Sequence, residues 1–181
     1  MPSSTGRPDR WCNLYDFDLA YLQDVTELLD LRFAQLEDEC RASSDPDQFG
    51  ILNRTEHLSG LAFTACQTYL EAVCVDRGVS KVTALAHGPL HPCGAYVAQL
   101  TNHAANWWKH RLQWKAGQLS PQEQRTLDGL AALDLKSDYP LSEALRNLAG
   151  EIFPRIAPLV EPLVDWRDAL DELVNIGDAS G

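Results

Sequence analysis

The sequence predicts an all-α fold: a single-domain helical bundle of five to six helices around a long antiparallel helix pair. Apolar residues recur at three- and four-residue spacing in every long segment, and almost no stretch shows the alternation of a half-exposed strand. With 181 residues and 45% apolar content, the chain can bury one sizeable core. We therefore expect one helical domain, 16–176, between a flexible N-terminal arm, 1–15, and a flexible tail, 177–181.

The first two predicted helices form the antiparallel pair. Asp16 or Asp18 caps a helix that runs to about Arg41. After a short turn, a second helix opens at Asn53 or Thr55 and ends near residue 78, where a glycine follows the apolar pattern. Two long helices joined by a short turn pack most simply side by side in opposite directions.

A connector rich in proline and glycine, 79–94, follows the pair; it cannot be one helix, and its first part, 79–85, could be extended. The remaining helices are predicted at about 95–115, 121–133, 140–150 and 163–174. Ser120 and Glu123 have the spacing of a capping box. Prolines at every fourth position from 154 to 162 predict kinked turns before the last helix.

Charge and composition restrict the partners. The chain has 15 basic and 26 acidic residues, a net charge of -11, which opposes nonspecific adhesion to nucleic acid or to anionic lipid. No signal peptide or membrane span is recognisable, and the five cysteines have no regular spacing, so we expect a cytoplasmic protein with free thiols and no membrane partner. No phosphate loop or nucleophile elbow is present, and no cofactor is expected. If the chain is an interaction module, the acidic side of the first helix would face a basic protein partner through Glu27, Asp30, Glu37, Asp38 and Glu39; the alternative is a solvated helix face.

One predicted helix concentrates the residues that carry chemistry. Its histidines fall at the edge of an apolar face, beside a polar stripe, where an imidazole can both pack and reach a ligand. The candidate catalytic residues are His103, Asn106 and His110. The candidate ligand or phosphate contacts are Asn102, Lys109 and Arg111, and the aromatic residues for a binding surface or for packing are Trp107, Trp108 and Trp114. The alternative is that these side chains only satisfy neighbouring helices and that the indoles are core.

The segment 105–114, Ala-Asn-Trp-Trp-Lys-His-Arg-Leu-Gln-Trp, resembles the Ala-Asn-aromatic-aromatic-Lys-His box of small helical bacterial proteins related to HEPN domains. The resemblance implies a helical bundle that often forms a homodimer and, in active members, cleaves RNA without metal at a shared cleft. It implies His110 as the catalytic histidine, Asn106 as its neighbour, and Lys109 or Arg111 as the phosphate contact. At the spacing where HEPN nucleases carry an arginine, this chain has His103, Ala104 and Ala105.

The missing arginine favours a binding role over catalysis. We predict a non-catalytic interaction or regulatory module in a bacterial or phage conflict system, of the antiviral defence or toxin–antitoxin type, with a protein partner. The alternative is a metal-independent endoribonuclease in which His110 takes the proton from a ribose 2'-hydroxyl and RNA is the partner.

A second cluster of candidate ligands lies in the connector. His87, His91 and Cys93 could ligate zinc if a fourth ligand came from elsewhere. Their spacing matches no zinc signature, and the neighbouring prolines are typical of a rigid connector with solvated histidines. The sequence therefore predicts no metal site.

Overall fold

Two long antiparallel helices, α1 (Phe17–Ala42) and α2 (Ile51–Arg77), carry the fold, which the computed structural model describes for residues 16–114 and 118–179, with side chains to residue 176. The Asp16 carboxylate caps α1 by accepting from the Leu19 N–H at 2.8 Å. Glu39, near the end of α1, pairs with Arg54, near the start of α2, at 2.6 Å. The predicted antiparallel pair and the all-α fold class are confirmed.

Five further helices complete the described part of the chain: α3 (Lys81–Ala84), α4 (Val97–His110), α5 (Pro121–Ala131), α6 (Pro140–Ala149) and α7 (Ala157–Ala179). The capping box at the start of α5 is present, with Ser120 and Glu123 each bonding the other's backbone N–H. Gly78 and Gly150 end α2 and α6 in the left-handed conformation that glycine adopts without strain. No strand occurs in the described residues, where the one β-bridge joins Leu90 to Tyr96.

The core lies between α2, α4, α6 and α7. Its largest fully buried side chain is Trp166 of α7, whose indole N–H donates to the Ala84 carbonyl at 2.8 Å. Gly88 lies directly against this tryptophan, where an added Cβ would be 2.9 Å from the Trp166 Cα. The connector is therefore held by the core although it contains little regular structure.

Two acidic side chains, one buried and one half-buried, cap the starts of helices that lie much later in the chain. Glu56 of α2 accepts from the backbone N–H groups of Leu141 and Ser142, at 2.9 and 2.8 Å, at the start of α6. Asp30 of α1 accepts from the N–H of Ile156 at 2.8 Å, at the start of α7. Carboxylates suit these places because the first N–H groups of a helix lack partners within the helix and carry partial positive charge.

Four boundaries differ from the sequence predictions. The segment 79–85, which the sequence allows to be extended, contains α3, which Ser80 caps by accepting from the Thr83 N–H. The expected kinked turns before Pro162 are wrong, since α7 begins at Ala157 and continues through Pro162 at the cost of one backbone hydrogen bond. Helix α4 ends at His110, because the N–H of Gln113 turns back to the His110 carbonyl. The last helix extends to residue 179, into the expected tail; the expected arm, 1–15, lies outside the described residues.

By length and composition alone, helix α2 could cross a membrane, although no membrane span is predicted from the sequence. In its most apolar stretch, 56% of the residues are buried inside the fold. A core helix passes the same test, so this property is weak evidence for a membrane span.

Candidate functional site on α4

A buried glutamine of α2 joins three of the predicted site residues. Gln67 is 2% exposed and donates from Nε2 to Oδ1 of Asn102 at 2.7 Å and to Oδ1 of Asn106 at 2.9 Å. Its Oε1 accepts from Lys109 Nζ at 2.5 Å. The polar stripe of α4 is therefore partnered inside the protein, and Lys109 is held against an amide.

Sequence reasoning missed Gln67. The signal that could have found it is a glutamine in the run 57–70, which contains no aspartate, glutamate, lysine or arginine. A lone large amide in such a run is buried in many folds, and a buried amide needs hydrogen-bond partners. Which helix supplies those partners depends on tertiary packing.

His103 is enclosed between α4 and α5. It is 9% exposed, and its ring lies so close to Gly129 that an added Cβ there would be 2.3 Å from the imidazole Cδ2. Its Nδ1 is buried and has no hydrogen-bond partner in the described part of the chain. Burial lowers the pKa of His103 from the ordinary 6.5, because the protein interior disfavours the charged ring. Burial therefore disfavours a positive charge on this imidazole.

His110 lies two turns later on the side of α4 that faces α5, and it is exposed. It lines a surface depression of about 240 Å³, together with Asn106, Gln113, Trp114, Ser120, Gln122, Glu123 and Thr126. Hydrogen bonds to Ser120 lower the pKa of Glu123, and the positive charge of His110 lowers it further. The charged side chain that interacts electrostatically with His110 in this depression is thus the carboxylate of Glu123.

Arg111 covers two indoles on the other side of α4. Its guanidinium carbon is 4.0 Å from the Trp108 ring centre and 4.9 Å from that of Trp107, and Nη1 donates to the Trp108 carbonyl at 2.8 Å. The Trp108 ring lies on Gly60 of α2, and His57 meets it edge-on with ring centres 5.1 Å apart. The arginine is held by cation–π and hydrogen-bond contacts within the bundle.

The three tryptophans have separate surroundings. Trp107 and Trp108 are half-buried and pack against the core. Trp107 also lines a cavity of about 290 Å³ with residues of α5 and α6, namely Leu127, Leu130, Ala131, Pro140 and Leu141 among others. Trp114 lies beyond the end of α4, beside His110. The indoles therefore do not form one continuous stack.

The histidines of the connector contact the backbone. His87 Nδ1 is 2.8 Å from the Thr83 carbonyl, and His91 Nε2 is 3.4 Å from the Asn147 carbonyl. The other ring nitrogen of His91 accepts from the Cys93 N–H at 3.3 Å. Within the described ranges, no group of three or more histidine, cysteine, aspartate or glutamate side chains is placed to hold a metal ion.

Most of the acidic side chains of α1 that could face a partner are engaged inside the molecule. Asp30 holds the start of α7, Glu37 bonds Arg155 and Arg41, and Glu39 bonds two further arginines. Asp38 is exposed and lies 4.0 Å from Arg41. These contacts reduce the acidic surface that the first helix offers to a basic partner.

A groove between α1 and α2 is a second feature that sequence reasoning missed. It encloses about 460 Å³ and is lined by Arg32, Leu36, Asn53, Arg54, His57, Leu58 and Leu61. Exposed apolar side chains continue along the same side of α1, since Leu28 is 69% exposed and lies one turn before Arg32. The run without charges in α2 gives this surface its apolar character.

Comparisons with protein-family models, with curated proteins and with solved structures give no match. The resemblance of residues 105–114 therefore stays a prediction.

Proposed function

We propose that this chain is a non-catalytic helical interaction module that acts by binding another protein. One observation carries the proposal: both cations next to His110 in the sequence, Lys109 and Arg111, are engaged by other residues of the bundle. A side chain that braces a phosphate as charge builds up must be free to turn toward it. Neither cation is placed for that task.

The electrostatics at His110 also favour binding over RNA cleavage. A ribonuclease of this type needs a base for the 2'-hydroxyl and a cation for the phosphate. His110 supplies an exposed imidazole, but the charged partner in its depression is Glu123, which repels a phosphate. Burial disfavours the charged form of the enclosed His103, which is therefore poorly suited to compensate for that repulsion.

The surface that supports a binding role lies on α1 and α2. Tyr21, Leu28 and Leu61 are 67%, 69% and 53% exposed, and the last lines the groove between the two helices. Apolar side chains that cluster on a folded surface are typical of protein interaction sites, because covering them removes apolar area from water. The setting, a bacterial or phage conflict system, is proposed on the resemblance of the α4 box alone.

Two measurements test the proposal. First, the purified chain is incubated with single-stranded and hairpin RNA in EDTA, next to His110→Ala; we expect no cleavage by either. Cleavage by the wild type that His110→Ala abolishes without unfolding would replace the module by the alternative, a metal-independent endoribonuclease.

Second, a photo-crosslinking amino acid is placed at Leu61 or at Leu112 in the native host. Leu112 is the matched control because it is 89% exposed, lies beyond the end of α4 and does not line the groove. We expect crosslinks to a second protein species from Leu61 and none of that species from Leu112. Equal crosslinking from both positions would contradict a specific interaction surface.

A further inference from the structure

We propose that the groove between α1 and α2 binds an acidic amphipathic helix of a partner protein. This inference rests on the proposed function and deepens it, because it states the chemistry and the shape of what the module binds. It is carried by three properties of the groove: an apolar floor, an excess of positive charge at its rim, and an indole at its end that is in contact with an arginine.

The floor is made of leucines at graded depth. Leu36 is 1% exposed, Leu58 is half-buried and Leu61 is 53% exposed. A helix that places leucine-sized side chains at positions i, i+3 or i+4 and i+7 in such a groove buries its apolar face on them. The exposed Leu28 lengthens the strip beyond the groove.

The rim is positive in a chain that is strongly negative overall. Arg32 and Arg54 line the groove, and both bond the single carboxylate of Glu39, at 3.1 and 2.6 Å. One carboxylate balances one of the two guanidiniums, which leaves one positive charge and several N–H donors unused. Against a net charge of -11, a local positive excess beside apolar side chains favours carboxylates on the bound segment.

The positive rim continues toward α4. His57 lines the groove and meets the Trp108 ring, and the guanidinium of Arg111 lies 4.0 Å above that ring. The carboxylate that attracts the Arg111 guanidinium electrostatically is that of Glu56. Glu56 is buried and already accepts three hydrogen bonds from Leu141 and Ser142. Arg111 therefore adds positive electrostatic potential beside the groove, while its own hydrogen bond and ring contacts stay within the bundle.

The same contacts argue against a nucleic-acid strand as the occupant. Single-stranded RNA binds proteins through cations along its backbone and through bases stacked on open aromatic rings. Gly60 packs against the Trp108 ring and the Arg111 guanidinium lies over it, so these two contacts reduce the ring surface on which a base could stack. A polar, charged nucleic-acid strand has no apolar face that could pack on the leucines of the floor, whereas an amphipathic helix has one.

Binding of synthetic peptides tests the proposal. The probe is a fluorescent, end-capped peptide of about 18 residues with leucines at helical spacing and glutamates on its flanks. The controls are a peptide of the same composition with the leucines spread around the helix and a peptide with lysine in place of glutamate. Fluorescence polarisation is expected to give saturable binding of the acidic amphipathic peptide and at least about tenfold weaker binding of both controls.

Matched variants locate the binding. Leu61→Asn and Arg54→Ser are each expected to weaken the acidic peptide by about tenfold, and Arg54→Ser is also expected to reduce the salt dependence of binding. Val75→Asn is the control for Leu61, since Val75 is on the same helix and 80% exposed. Arg41→Ser is the control for Arg54, since Arg41 is exposed on α1 and is not part of the groove lining. Both controls should stay within about twofold of the wild type.

Equal binding of the acidic peptide and its scrambled control would overturn the inference, and so would peptide binding that Leu61→Asn leaves unchanged. Tighter binding of a uridine oligonucleotide, dependent on Arg54 and not on Leu61, would overturn it as well. Self-association that Leu61→Asn abolishes, with no peptide binding, would also overturn it and assign the groove to a second copy of the chain. If the peptide fails while Leu61 still crosslinks to a partner in the host, the module stands and only the chemistry of its ligand is wrong.

Discussion

The Trp108 ring lies directly on Gly60, so close that a Cβ at residue 60 would be 2.2 Å from the indole Cδ2. A rigid bicyclic ring packed between α2 and α4 cannot yield as the end of a flexible side chain can. This contact sets how closely the two helices approach at the point where the groove and the α4 site meet.

Gly60→Ala is therefore expected to destabilise the protein. The clash costs about 1 to 3 kcal/mol of unfolding free energy, and the roughly 1 kcal/mol that alanine gains over glycine in a helix offsets part of it, so we expect a net loss of up to about 2 kcal/mol. Urea unfolding of Gly60→Ala in the wild type and in a Trp108→Ala background measures the coupling between the two residues. A cost that is the same in both backgrounds would contradict the contact.

Glu56→Ala is expected to cost about 2 to 4 kcal/mol of unfolding free energy, because it leaves the N–H groups of Leu141 and Ser142 buried without an acceptor. Glu56→Gln keeps one acceptor oxygen and should cost less. Glu172→Ala, at an exposed position on α7, is the matched control and should stay within about 0.5 kcal/mol of the wild type. Thermal unfolding of the three variants checks this order, and an equal effect of Glu56→Ala and Glu172→Ala would argue against the cap.

Gln67→Met is expected to cost about 1 to 3 kcal/mol, since it removes the donors to Asn102 and Asn106 while nearly conserving volume. Asn102 is 4% exposed and would lose a partner that water does not readily replace. Lys109→Met should cost less than about 1 kcal/mol, because Lys109 is exposed and water can take the place of its ammonium at Oε1 of Gln67. Denaturant unfolding of both variants distinguishes them; a larger effect of Lys109→Met would place the stabilisation in the surface contact instead.

The buried His103 is expected to make stability fall with acidification. Its pKa in the folded state lies below the ordinary 6.5, so the unfolded chain binds more protons as the pH drops below that value. Stability is then fully present above about pH 6.5 and is lost as the pH falls toward the folded pKa, by at most about 1.4 kcal/mol per pH unit for one proton. The measurement is the free energy of unfolding between pH 7.5 and about 5.5, above the range in which most carboxylates titrate.

His103→Leu should flatten this pH dependence, while His110→Asn, at an exposed position, serves as the matched control. The same acid sensitivity in His103→Leu and in the wild type would show that another group carries it. His103 packs on Gly129 of α5. We therefore expect that, as the pH falls, the backbone amides of α5 are the first to show faster hydrogen exchange.

The helices follow from local patterns that the sequence displays. Apolar spacing located α1 and α2, and the Ser120–Glu123 pair located the start of α5, because both signals act within a few residues. The start of α7 was missed because Pro158 falls in the first turn, where its missing N–H has no partner within the helix, and because the helix tolerates the one hydrogen bond lost at Pro162. Helix α3 was missed because four residues carry no readable period.

The sequence by itself determined the all-α class, the antiparallel pair and the concentration of histidine, asparagine and tryptophan on α4, since periodicity, turns and caps depend only on near neighbours. The tertiary structure alone decided what those residues face. It set Gln67 between Asn102 and Asn106, enclosed His103 while leaving His110 exposed, and placed two arginines beside the leucines of a groove. Burial and charge pairing depend on which helices pack together, and that packing is determined by contacts between residues far apart in the chain.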